Sequence, residues 1–88
     1  MNKIRRKELA RIVEKLETLE ALRSEIQEEL EAVMDEEQEA FDNMPESLQE
    51  SEKGQQMQEY IDAMESALDD LEEIDIDSIR DQIDDIVG

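Results

Sequence analysis

Apolar residues return every three or four positions from Leu9 to Ala40, the spacing of one long helix. The frame runs Leu9, Ile12, Leu16, Leu19, Arg23, Ile26, Leu30, Val33, Glu37 and Ala40, with eight of ten positions apolar. Such alternation holds a stripe on one side of an α-helix. Val13, Met34 and Phe41 lie on one shoulder of the stripe and Leu22 on the other. The apolar face is therefore wider than a two-stranded seam requires. The pattern stops at Asp42-Asn43-Met44-Pro45, because proline disfavours helical geometry in the residue before it and Asn tolerates a helix end. Ser51, followed by Glu52, then offers an N-cap for the next helix.

A second stripe runs Met57, Ile61, Met64, Leu68 and Leu71, with Tyr60 and Ala67 beside it. It then slips one place, to Ile76, Ile79, Ile83 and Ile86. The eleven residues from Leu68 to Ile79 are the spacing of a stutter in a continuous helix. A break near Ile74, with a third helix capped by Asp75 or Asp77, is the rival. With no Gly or Pro between residues 55 and 87, continuity is favoured.

Folding the chain back at Pro45 aligns the two stripes as Leu9/Ile86, Ile12/Ile83, Leu16/Ile79, Leu19/Ile76, Ile26/Leu68, Leu30/Met64 and Val33/Ile61. Ala40 then meets Gly54, small against small, while Arg23 falls opposite Glu72 and Arg11 opposite Asp84. The predicted fold is all-α: a single domain over 1–88 built as a long antiparallel helical hairpin, with helices at about 3–42 and 52–87. Two helices bury little, and Val13, Leu22, Met34, Phe41 and Tyr60 would stay wet. A homodimer forming a four-helix bundle is the expected remedy.

Charge changes the picture more than size does. Twenty-eight acids face nine basic residues, for a net charge of -19. Residues 1–23 carry seven basic side chains and four acidic ones, whereas 24–88 hold twenty-four acids against Lys53 and Arg80. In a hairpin the basic start of the first helix and the acidic end of the second offset each other; singly, both oppose their helix dipoles. Low hydropathy with high charge also fits disorder, but the strict apolar periodicity argues against it. No apolar run nears the roughly 20 residues that cross a bilayer, and the basic start leads into no apolar signal segment. With no cysteine there is no disulfide signal of an extracellular protein, so a cytoplasmic setting is expected.

The residue types limit chemistry. There is no Cys or His, and the serines have only carboxylates near them, which serves nucleophilic catalysis poorly. Glycines at positions 54 and 88 alone make no phosphate-cradling loop. The acidic runs 35–39 and 69–73 have the residue types of a Mg²⁺-dependent all-α nucleotide pyrophosphohydrolase, yet the expected registry keeps them apart. The run from Asp75 begins like a calcium loop but lacks the turn glycine and has Ile86 where the closing Glu belongs. No enzyme activity, metal or cofactor is expected.

What remains is the acidic face. Glu25, Glu28, Glu31, Asp35, Glu39 and Asp42 fall on outward positions of the first helix. Glu59, Asp62, Glu65, Asp69, Asp70 and Glu73 do so on the second. A charge run is usually only a solvated face. Here, however, Glu25/Glu29, Glu31/Asp35 and Asp35/Glu39 are like-charged neighbours, each costing about 0.2–0.5 kcal/mol. Repeated cost of this kind points to the charge itself as the selected property. These twelve residues are the candidate contact set for a basic protein partner of the nucleic-acid-binding type, with no direct binding of nucleic acid or membrane. The alternative is a structural or adaptor bundle whose acidity serves solubility.

The segment Asp35-Glu-Glu-Gln-Glu-Ala-Phe-Asp-Asn-Met-Pro-Glu-Ser-Leu-Gln49, with the following Met64–Glu73 helix, resembles small acidic helical proteins of phages and prophages. The resemblance covers roughly residues 35–73, and the Phe41–Gln49 turn is its distinctive part. It implies a phage setting, in which a DNA-mimic or anti-defence inhibitor of a host protein is the expected role. It carries over no active-site residues.

Overall fold

The computed structural model describes residues 1–88. It is all-α: α1 spans Lys3–Asp42, α2 Glu46–Gln49, α3 Glu52–Glu72 and α4 Ile76–Val87. The 40 residues of α1 extend about 60 Å at ~1.5 Å per residue. Asn2 starts the helix by accepting from the Arg5 amide at 2.8 Å, which satisfies one of the free N–H groups of the first turn.

The chain divides into two compact units, residues 26–73 and residues 1–25 with 74–88. In the first, which we call the acidic unit, the chain reverses between α1 and α3. Asn43 closes the last turn of α1 onto the Glu39 carbonyl, and Pro45, at φ -57° and ψ 146°, leads into α2. Far from the turn, the Gln27 amide donates to the Glu72 carboxylate across 45 residues of sequence, at 3.3 Å. This is an antiparallel helical hairpin. Glu72 is thus met from one helical turn beyond Arg23, its expected partner.

Gly54 explains how the turn closes. It is buried in the first turn of α3, and a Cβ there would lie 2.1 Å from the Gln49 carbonyl oxygen and 2.6 Å from that of Leu48. The backbone of α2 therefore rests directly on α3, an approach that only a missing side chain permits. Ser51 caps α3 from the Gly54 amide at 3.4 Å, and its hydroxyl donates to the Leu48 carbonyl. Gln49 reaches back to the Phe41 carbonyl at 2.9 Å. The expected neighbour of Gly54, Ala40, is exposed instead. Backbone, not a small side chain, fills the space.

The expected continuity of residues 52–87 does not hold: α3 ends at Glu72 and α4 begins at Ile76. Asp75 causes the restart by accepting from the Ser78 amide at 3.0 Å. An aspartate cap of this kind contributes about 1 kcal/mol, enough to replace a stutter without help from Gly or Pro. In the second unit, the mixed-charge unit, α4 sits by α1: Arg80 lies within the electrostatic reach of Glu17 and Glu20.

The buried seam is rotated from the expected one. On α1, the buried and half-buried residues include Val13, Leu16, Glu20, Arg23, Gln27, Leu30, Met34, Glu37 and Phe41, a heptad repeat of a and d positions. Ile12, Leu19, Ile26 and Val33, expected in the seam, are all 43–53% exposed. The shift is a rotation of roughly 50° about the helix axis. Its origin is the width of the face: three apolar rows lie side by side, and one facing helix covers only two. Only Val13, Ile61 and Ile76 form the buried apolar core.

Candidate functional site

Each of the twelve predicted contact residues is exposed and helical, except Glu73, which is the exposed C-cap of α3. Glu25 belongs to the mixed-charge unit and the other eleven to the acidic unit. In the acidic unit eighteen carboxylates face a single base, Lys53. Seventeen of them are exposed, and none forms an ion pair inside that unit. They are free to meet an external cation.

Their arrangement follows from the seam. With a and d positions facing the partner helix, Glu28, Glu31, Asp35, Glu39 and Asp42 occupy the b, e and f rows of α1. Glu59, Asp62, Glu65 and Asp69 occupy the same rows of α3. Carboxylates three to four residues apart recur about every 5 Å along each helix. The opposite flank, the g row, is apolar: Ile26 and Val33 on α1, Tyr60 and Ala67 on α3, all exposed. The seam thus has acids of the e row on one side and the apolar g row on the other, with Glu29, Glu36 and Asp70 of the c row beyond it. At the turn, Phe41 and Met44 are half-buried while Leu48 stays 48% exposed.

In the mixed-charge unit the ion pairs run along the helices. Arg23 grips Glu20 with two donors, its Nε at 2.9 Å, and Arg80 pairs with Asp77 at 3.6 Å and Asp81 at 2.9 Å. The Arg23 hydrogen bond holds the Glu20 carboxyl below its usual range, with Arg23 and Arg80 charges adding to it. The Asp81 hydrogen bond raises Arg80. The expected Arg11–Asp84 pair does not form; both side chains are exposed. Side chains one turn apart on one helix meet without any tertiary constraint, which is why the local pairs prevail. Sequence periodicity pointed to Arg23 but missed Glu20, Gln27 and Arg80, because a polar residue at a seam position carries no apolar signal.

No three carboxylates converge into a group that could hold a metal ion. A shallow open depression of about 490 Å³ on the first turns of α3 is lined by Glu52, Lys53, Gln55, Gln56 and Glu59. No helix is long and apolar enough to cross a membrane. No protein-family model, curated protein or solved structure matches the chain.

Proposed function

We propose that this chain is a non-enzymatic binder whose acidic unit presents its carboxylates to a basic, nucleic-acid-binding protein, as a DNA mimic or anti-defence inhibitor of phage origin. The observation that supports this reading is the set of seventeen exposed carboxylates with no ion pair inside the unit. Duplex DNA carries one negative charge per ~1.7 Å of axis. Two helices, each with a carboxylate about every 5 Å, approach that density, so a basic groove would release counterions to this surface as it does to DNA. The phage setting rests on the Phe41–Gln49 resemblance.

The test is capture of partners from lysate at low salt, followed by a salt step and competition with duplex DNA. The proposal expects elution by both. Replacing Glu28, Glu31 and Asp35 with Gln should preserve helicity and weaken binding by roughly tenfold or more. Undiminished binding by that variant to every captured protein would overturn it. The adaptor alternative is favoured by a separate observation, the exposed apolar g row, and expects binding that is nearly indifferent to salt.

A further inference from the structure

The g row continues in the mixed-charge unit. Ile12 and Leu19 on α1 are 43% and 50% exposed, and Ile79 and Ile86 on α4 are 49% and 47% exposed. Val13, Leu16, Ile76 and Ile83, by contrast, are buried or half-buried in that unit's own seam. Each helix therefore carries an uncovered apolar row beside the seam that its neighbour within the unit covers. A helix with apolar a, d and g rows has the pattern of one that touches two neighbours at once, as in a four-helix bundle. Leu22, 49% exposed, widens the uncovered face at its edge.

We infer that two copies of the chain associate through this face of the mixed-charge unit, α1 of each copy lying against α4 of the other. Charge identifies the occupant. Residues 1–25 hold seven basic side chains against five acidic, and residues 74–88 hold one against five. Pairing the part of α1 within residues 1–25 with the partner copy's α4 brings opposite net charges together twice in a two-fold dimer, an isologous arrangement. A strongly basic or strongly acidic foreign partner would meet repulsion on one helix or the other. The acidic unit cannot serve equally well, because eighteen acids and one base in each copy repel a second copy at close range.

This inference is independent of the proposed function, since it concerns the other unit. Its test is sedimentation equilibrium of the full chain across 1–200 µM (about two decades of concentration suffice for a Kd in this range). The expected result is a mass approaching twice 10.3 kDa, and a monomer throughout would overturn the inference with no variant needed. Ile12→Lys with Ile79→Lys should weaken the dimer roughly 100-fold, with helicity by circular dichroism unchanged because both positions face solvent in the single chain. Should that pair lose helicity, Leu22→Lys alone reports on the same face. Tyr60→Ser, on the apolar flank of the acidic unit, should leave the dimer intact. A dimer lost with Tyr60→Ser, or one untouched by lysines at positions 12, 22 and 79, would place the interface elsewhere and refute the inference.

Discussion

The two units have the same kind of helical seam and very different charge. In residues 1–25 with 74–88, eight basic side chains stand against ten acids, and local pairs such as Glu20–Arg23 and Arg80–Asp81 hold them. In residues 26–73 eighteen acids stand against Lys53. Neighbouring carboxylates there give up stability instead of adding it. What holds the acidic unit is its turn: Ser51 caps α3, Gln49 ties back to Phe41, and Gly54 lets two backbones touch. Charge that is not needed for folding is available for another purpose.

The sharpest way to break this contrast is Gly54→Ala. The added methyl meets the Gln49 and Leu48 carbonyls, both backbone, so relief requires moving α2. Against a gain of up to about 1 kcal/mol in helix propensity, the net loss should be about 2–4 kcal/mol. Hydrogen exchange should show protection falling first in α2 and the start of α3. Equal loss in α4 would mean that the turn does not hold the acidic unit separately.

Salt should separate the units next. Raising NaCl from 20 to 500 mM shortens the screening length several-fold and relieves the like-charged neighbours of the acidic unit. We expect α3 amides to gain about 1–2 kcal/mol of protection, several pairs at 0.2–0.5 kcal/mol each. In α4 the change should be nil or negative, since the ion pairs there are screened. A gain of the same size in both helices would show that the like-charged neighbours do not strain the acidic unit.

The extent to which all this was legible in the sequence depends on the kind of signal. Helix bounds near Lys3, Asp42 and Glu52 follow from periodicity, Pro45 and the Ser51 cap, because these are local chemistry. The break after Glu72 is not distinguished from a stutter by periodicity, since one Asp75 cap decides it and no Gly or Pro accompanies it. The face of α1 that packs is ambiguous for a different reason. With Ile12, Leu16 and Val13 all apolar, the edge chosen depends on the facing helix, which no single stretch contains. The exposure of all twelve acids follows from the pattern, because they lie off the apolar stripe for either choice of edge.

Acid gives the smallest contrast. The Glu20 carboxyl titrates below its usual value because Arg23 favours the charged form. A carboxyl lowered in the folded state contributes stability above its unfolded value, near 4.5. That contribution is lost as pH falls through the lowered folded value. Glu20→Gln should therefore cost a little at pH 7 and nothing near pH 2, a difference no larger than an ordinary surface substitution makes. A variant that loses as much at pH 2 as at pH 7, by thermal melting, would show that packing and not charge holds Glu20 in the seam.

With only Val13, Ile61 and Ile76 among its large side chains buried, this chain has very little interior. Most positions can be exchanged without opening a void, so mutation is free to redraw its contour while a few anchors and one glycine preserve the backbone. In a protein built this way, surface charge and backbone stability vary nearly independently.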